Sequence, residues 1–110
     1  MAKENMMAVV RLNFEPRWLA LSRDERRAYA ELIEQILARH PEVSFRWFDA
    51  DALGSGYTDF AICEFEELTK YHFLWEELKD TDLFTKPYAS ITDVTLGIEQ
   101  GYRAYEQQVA

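Results

Sequence analysis

The spacing of hydrophobic residues changes along the chain, in the order strand–helix–strand–strand–helix–strand. The segment Met6–Phe14 alternates after a short apolar start, which is typical of a half-buried strand. Ser22 and Glu25 form a capping box, which begins a helix with one apolar stripe. Pro41 stops this helix just after His40. This order of strands and helices restricts the possible folds to a small number, but it does not indicate what reaction or ligand the protein has.

The second half of the chain has the patterns of two strands that form a hairpin, followed by those of a helix and a last strand. Residues 43–48 and 57–64 read as strands, and the short turn at 49–56 predicts that they pair antiparallel. A helix is predicted from about residue 66 to 79, a helical turn within 81–88, and a last strand over 89–96. A short polar segment after Gly97 is predicted to form one or two helical turns through Tyr105.

Two β-α-β units joined by a hairpin predict an α+β, ferredoxin-like fold. Both long helices then cover one face of a four-stranded antiparallel sheet. We expect a single domain over residues 1–110, with its core at about 6–98 and a short C-terminal helical tail at 99–110.

The hairpin register decides which residues share the uncovered face. We predict that Arg46 lies opposite Asp59. The uncovered face would then carry Arg11, Asn13, Ser44, Arg46, Phe48, Tyr57, Asp59, Ala61, Cys63, Ile91, Asp93 and Thr95, and the helix side Val10, Leu12, Val43, Phe45, Trp47, Phe60 and Ile62. Because the uncovered face would be both charged and aromatic, we expect a second copy of the chain to cover it and form a homodimeric barrel.

Charge and composition exclude several partners. The net charge of −8 is concentrated in residues 49–110, which hold four basic and thirteen acidic groups. An acidic surface repels phosphate backbones, so we expect no nucleic-acid partner, and no basic amphipathic helix points to a membrane. One cysteine, Cys63, excludes an intramolecular disulfide and a cysteine-based metal cluster. No long apolar run or signal-peptide core is present, so we expect a cytoplasmic protein.

Several short segments have an informative order and spacing: Trp18-Leu19, Leu21-Ser22, Asp24-Glu25-Arg26, Ile36-Leu37-Ala38-Arg39-His40-Pro41, Arg46, Phe48-Asp49, Thr58-Asp59, Tyr71, Glu77-Leu78, Gly97-Ile98-Glu99, Tyr102 and Tyr105. In this order and spacing the chain resembles the darcynin family of small bacterial proteins. The resemblance spans about residues 14–105 and implies a ferredoxin-like, dimeric α+β barrel. It brings no established activity, so it implies no catalytic residue.

The first candidate for chemistry is Arg46 with Asp59, extended by Arg11 and Asp93. An arginine can hold an anionic or carbonyl group beside an aspartate base. The same charges could instead form an ion-pair network that fixes strand register or the dimer.

His72 is the second candidate, because its ordinary pKa suits acid–base work, although a packed histidine is the simpler interpretation. Tyr71 and Trp75 are candidate ligand contacts, but their helical spacing favours the core, and the same caution applies to Trp18 and Trp47. The spacing of these groups fits no metal site, and we expect no cofactor.

Three functions stay open at this point. Proteins of the resembled architecture often hold a small hydrophobic or aromatic molecule, and several act as cofactor-free oxygenases, isomerases or cyclases of secondary metabolism. The alternative is a non-catalytic structural or protein-interaction module without a ligand pocket. A heme binder that uses His72 is the third hypothesis.

Overall fold

The fold is a four-stranded antiparallel sheet with helices, seen in a computed structural model that describes residues 4–54 and 56–109. Its elements are β1 (Met6–Phe14), α1 (Pro16–Leu19), α2 (Arg23–Ala38), β2 (Ser44–Asp49), β3 (Asp59–Phe65), α3 (Leu68–Lys79), α4 (Asp82–Thr85), β4 (Ala89–Ile98) and α5 (Gly101–Val109). The strand order is β2-β3-β1-β4, with every neighbouring pair antiparallel. This is the ferredoxin-like order, so the predicted α+β fold is confirmed.

The predicted start of α2 is confirmed at the level of single hydrogen bonds. The Glu25 backbone N–H donates to Ser22 Oγ at 3.1 Å, and the Ser22 N–H donates to Glu25 Oε1 at 3.0 Å. These two bonds satisfy donors that the first turn of a helix leaves free. They lower the pKa of the Glu25 carboxyl, chiefly through the Ser22 backbone N–H.

The predicted hairpin register is wrong by three residues. Arg46 pairs with Ile62 and Asp49 with Asp59, whereas Arg46 was expected opposite Asp59. Because side chains alternate between the two faces, a shift by an odd number of residues moves every side chain of a strand to the other face. Asp59, Ala61 and Cys63 therefore lie on the helix side, and Phe60 and Ile62 lie on the uncovered side.

Small residues at the sheet centre explain why this register packs well. Ala61 and Cys63 are fully buried beside Ala8 and Val10 of β1, and Leu74 of α3 belongs to the same core cluster. Small side chains let the helices approach the sheet closely, which the bulkier Phe60 and Ile62 would not allow. The burial also raises the pKa of the Cys63 thiol to about 11, so this residue is a small buried hydrophobe.

The uncovered face carries apolar and charged residues side by side. Its largest apolar members are Met7, Val9, Phe48, Phe60 and Ile62. Arg11 and Arg46 lie on this face, as expected, together with Asp93. Ile91 was also expected here, but a bulge in the β1–β4 pairing places it opposite Leu12, on the helix side.

The turn between β2 and β3 contains a single 3-10 turn at Asp51–Leu53. Gly54 and Gly56 adopt positive φ angles of 70° and 91°, and Ser55 lies outside the described residues. At the C-terminus α5 is a helix with Tyr102 and Tyr105 exposed. No helix among residues 4–54 and 56–109 combines the length and apolarity needed to cross a membrane.

Candidate functional site

A cleft of about 600 Å³ opens between α2 and the ends of β2 and β3 that adjoin the hairpin turn. Five aromatic residues line it: Phe14, Trp18, Tyr29, Phe45 and Trp47. Its polar lining consists of Arg26, Glu34, Asp49, Asp51, Thr58 and Asp59. We call this site the aromatic cleft. An apolar concavity with a few convergent polar groups is the usual form of a small-molecule site.

Chain geometry brings the aromatic rings together from four elements, β1, α1, α2 and β2. Phe14 ends β1, and α1 begins two residues later, which sets the Trp18 ring 5.0 Å from the Phe14 ring. Phe45 and Trp47 are two residues apart in β2 and therefore share a face, where their rings stack at 5.9 Å. Trp47 also meets Phe14 edge-on at 6.1 Å. The rings form walls at an angle to one another, not a single flat stack.

Asp59 is the partly buried carboxylate of the aromatic cleft. The Trp47 indole N–H donates to Asp59 Oδ2 at 2.6 Å. Burial raises the pKa of Asp59, and the nearby Asp49 and Asp51 carboxylates raise it further, against the lowering effect of the Trp47 and Thr58 hydrogen bonds. Asp59 is therefore a carboxylate whose charge is poorly compensated by its surroundings.

Among the described residues, Arg26 is the one guanidinium that lines this cleft, and it is the fourth residue of α2. Its Nε atom is buried and has no hydrogen-bond partner within the described part of the chain. A buried donor without a partner is costly in a folded protein. A ligand oxygen would satisfy it.

A second cleft of about 450 Å³ lies at the opposite end of the same hairpin. Its lining includes five glutamates, Glu42, Glu64, Glu66, Glu67 and Glu99, so we call it the acidic cleft. Several of them already have partners: Lys70 Nζ lies 3.9 Å from Glu42, Arg46 lies 3.5 Å from Glu64, and Asn5 donates to Glu99 at 3.2 Å. No group of three or more His, Cys, Asp or Glu that could hold a metal ion occurs among the described residues.

The predicted Arg46–Asp59 pair does not form, because the observed register places the two residues on opposite faces of the sheet. Arg46 instead lies 3.5 Å from Glu64 and over the Phe48 ring. Of this candidate pair, only Asp59 lines the aromatic cleft.

Arg11 and Asp93 do lie together, 3.0 Å apart on the uncovered face. Arg11 Nε also donates to the Tyr57 hydroxyl at 3.0 Å, and Nη1 to Thr95 Oγ1 at 3.2 Å. The Tyr57 bond is the main reason that the pKa of Arg11 is raised. This network joins β1 to β4 and to Tyr57 in the turn before β3, and it lines neither cleft. Its predicted role in ligand binding stays a prediction.

The candidates on α3 are divided between surface and core. His72 is 62% exposed, and its Nε2 lies 3.5 Å from Glu76. Tyr71 stacks on Phe65 at 4.6 Å, and burial raises its pKa to about 12. Trp75 is buried in the core. None of these three lines either cleft, so their roles as site residues also stay predictions.

Sequence reasoning missed Arg26, Trp18 and Trp47 as members of one site. Trp18 and Trp47 were interpreted as core residues, yet Trp47 is 37% exposed. They are distant in sequence, and the two tryptophans reach the same cleft because both pack against Phe14 at the end of β1. Pro16 was a local signal for the end of β1, although it does not say which residues the following helix meets.

A sequence model described as "Darcynin, domain of unknown function" matches residues 2–110 of this chain. The chain belongs to the Darcynin family. Darcynin of Chromobacterium violaceum is 38% identical over 78 residues, which cover 71% of this chain and 99% of that protein. Darcynin 1 of Acinetobacter baumannii is 33% identical over 89 residues, which cover 80% of this chain and 99% of that protein.

Solved structures show that the Darcynin fold also occurs in larger proteins. A heme-binding protein of Thermus thermophilus superposes with a TM-score of 0.80 at 15% identity, over 96% of this chain and 45% of that one. A chlorite dismutase mutant of Candidatus Nitrospira defluvii superposes with a TM-score of 0.76 at 8% identity, over 89% and 41%. The chain thus spans less than half the length of either protein. At these identities the likeness establishes the ferredoxin-like fold alone.

Proposed function

We propose that this Darcynin protein binds a small, largely apolar organic molecule in the aromatic cleft. The observation that carries the proposal is a 600 Å³ concavity whose walls are five aromatic rings and whose polar groups converge from α2 and β3. Volumes of this size suit a ligand of one to three rings. Trp47 and Asp59 supply a hydrogen-bonded polar edge within the apolar walls.

Asp59 is the group that we propose for proton exchange with the bound molecule. A carboxylate with a raised pKa is closer to the working range of a general acid or base than an ordinary aspartate. Such a group beside an apolar wall is suited to a cofactor-free oxygenase, isomerase or cyclase. The alternative, a non-catalytic module, would leave the cleft without a ligand.

A blocked cleft tests the binding proposal directly. Ala30 lines the aromatic cleft from α2, whereas Ala28 is exposed on the same helix and does not line it. Ala30→Trp should abolish binding of a neutral probe, 1-naphthylmethanol, in ligand-observed NMR, while Ala28→Trp should bind it as wild type does. Equal binding by both variants, or none by wild type, would refute the proposal.

Heme is the ligand bound by the Thermus thermophilus neighbour, and the residues here do not fit a histidine-ligated heme in either cleft. The chain has two histidines, and neither lines the aromatic or the acidic cleft. His72 is exposed, and His40 Nε2 lies 2.7 Å from Glu77 Oε1. We therefore expect added heme to give no absorption band that is lost in His72→Ala. A band lost in that variant would restore the heme hypothesis.

We also propose that the uncovered sheet face is the interface of a homodimer. Its apolar centre of Val9, Phe60 and Ile62 is flanked by the Arg11–Asp93 and Arg46–Glu64 pairs, so both charge signs occur on one surface. A two-fold axis can set such a surface against itself with opposite charges facing. The same face would then be sealed from water without blocking the aromatic cleft on the helix side.

Two valine variants test the interface. Val9 lies on the uncovered face, and Val94 is an exposed valine on the helix side of β4, opposite the buried Val10. Val9→Glu should give a folded monomer in analytical ultracentrifugation, whereas Val94→Glu should sediment as the wild-type dimer. A monomeric wild type at micromolar concentration would overturn the interface.

A further inference from the structure

We propose that the molecule bound in the aromatic cleft is an organic cation, in which an ammonium group is attached to an apolar or aromatic body. This inference rests on the proposed function and adds the chemical class of the ligand. It follows from two features of the cleft wall, its unbalanced carboxylates and the orientation of its rings.

The lining of the cleft has an excess of negative charge. Four carboxylates, Glu34, Asp49, Asp51 and Asp59, face one guanidinium, Arg26. Within residues 4–54 and 56–109, no lysine, arginine or histidine forms a salt bridge with Asp49, Asp51 or Asp59. In the described part of the chain, these three aspartates therefore have no cationic partner.

Asp49 and Asp59 are also directly opposite each other in the β2–β3 pairing. Like charges at directly opposed positions destabilise an antiparallel pair. The charge of Asp49 contributes to the raised pKa of Asp59. A bound cation would reverse this repulsion, because both carboxylates would then face an opposite charge.

The rings supply the second feature. Trp18 and Trp47 both adjoin Phe14, at ring distances of 5.0 and 6.1 Å and at interplanar angles of 49° and 68°. The indoles of Trp18 and Trp47 therefore line the cleft in different orientations relative to Phe14. Walls of this kind attract ammonium groups through their electron-rich faces, and tryptophan is the strongest of the aromatic residues in this respect. Carboxylates and tilted aromatic rings thus favour the same ligand class.

The unpaired donor of Arg26 is a feature that would favour an anionic ligand instead. Its unpartnered Nε would bind a carboxylate as readily as a carbonyl or hydroxyl oxygen. One guanidinium cannot outweigh four carboxylates in the same cleft, so we expect Arg26 to contact a neutral oxygen of the ligand. An anionic ligand is the alternative that the experiment must exclude.

Three probes with one ring system and different charge test the class. They are 1-naphthylmethylammonium, 1-naphthylmethanol and 1-naphthylacetate, titrated into the full chain by calorimetry at pH 7 and low salt. We expect the ammonium probe to bind roughly tenfold more tightly than the alcohol, and the acetate more weakly than the alcohol. Added salt should reduce the advantage of the ammonium probe.

Two matched aspartate variants assign the preference to the cleft. Asp59→Asn keeps an acceptor for the Trp47 indole and should bring the ammonium and alcohol affinities to within about threefold of each other. Asp80→Asn makes the same change of net charge outside both clefts and should leave the tenfold preference intact. Thermal unfolding of each variant checks that it is folded.

The outcomes separate this inference from the proposed function. If the alcohol binds and Ala30→Trp prevents it, but the ammonium probe has no advantage, the binding function stands and the cation class is wrong. A preference for the acetate, or an ammonium preference that persists in Ala30→Trp, also overturns the inference. If none of the three probes binds, the proposed function fails and this inference fails with it.

Discussion

The aromatic cleft and the acidic cleft lie at opposite ends of the β2–β3 hairpin, and both are rich in carboxylates. In the acidic cleft, glutamates meet Lys70, Arg46 and Asn5 at 3.2–3.9 Å. In the aromatic cleft, Asp59 is partly buried against Trp47 and has no salt bridge within the described part of the chain. The glutamates that pair with cations form a solvated surface, whereas the proposed site rests on a carboxylate that lies against aromatic walls and has no cationic partner among the described residues.

The largest effect that we expect comes from removing an aromatic wall. Trp47→Ala loses the ring contacts with Phe14 and Phe45 and the indole donor to Asp59. We expect a loss of ~2 kcal/mol in the free energy of unfolding, below the usual cost of a Trp→Ala change because Trp47 is partly exposed. Urea unfolding measures it. Phe73→Ala is the control, because Phe73 is exposed and lies outside both clefts. A loss of stability of similar size in this control would show that the effect is not particular to the wall of the aromatic cleft.

The next effect is a loss of stability as the pH rises, which we expect from Asp59 of the aromatic cleft. Because the pKa of Asp59 is raised on folding, the folded state binds more protons than the unfolded state above the ordinary aspartate pKa. Wild type should therefore lose stability relative to Asp59→Asn as the pH rises from the unfolded pKa through the folded one. Melting temperatures of both proteins between pH 3 and pH 7 measure the difference. A wild type that gains on the variant over this range would contradict the account.

A carboxylate with partners should show the opposite sign. Hydrogen bonds from Arg39 first and then His40 lower the pKa of Glu77. Its contribution to stability is present above the unfolded glutamate pKa and is lost as the pH falls through the folded pKa. The difference in melting temperature by which the wild type exceeds Glu77→Gln should therefore disappear at acidic pH. The same melting series tests this, and curves of equal slope for the Asp59 and Glu77 variants would remove the contrast.

The smallest effect is expected in the acidic cleft. Glu66→Gln removes one of its carboxylates at an exposed position. We expect a change in the free energy of unfolding within about 0.5 kcal/mol and no change in affinity for 1-naphthylmethylammonium. Calorimetry with this variant measures the affinity. A clear loss of affinity would indicate that the cation binds in the acidic cleft, which would contradict the proposal.

The elements of the fold could be predicted from local signals, and the pairing between them could not. The Ser22–Glu25 capping box and the alternation of Met6–Phe14 are short-range patterns, and both appear as expected. The hairpin register depends on the number of residues that the turn absorbs, and here it contains a 3-10 turn at Asp51–Leu53. Since Phe60 and Ile62 are larger and more apolar than Asp59 and Ala61, the hydrophobic pattern of β3 favoured the face that the structure leaves uncovered.

The site was less predictable than the fold, because its members come from distant segments. Asp59 was a candidate from its charge alone, and its expected partner Arg46 lies on the other face. The residue that does contact it, Trp47, is placed by the corrected register. Arg26 stands on a helix with other arginines, and its missing hydrogen bond is visible only in three dimensions. The properties of Asp59 and Arg26 depend on their burial and on their hydrogen-bond partners, and a single sequence shows neither.

The most direct test uses the three indole N–H signals of the chain in a proton–nitrogen correlation NMR spectrum. Trp18 and Trp47 line the aromatic cleft, whereas Trp75 is buried in the core behind Phe45. Titration with 1-naphthylmethylammonium should shift the Trp18 and Trp47 signals, with Trp47 moving most because its N–H donates to Asp59, and should leave Trp75 in place. A titration that moves Trp75 alone, or none of the three, would contradict cation binding in this cleft.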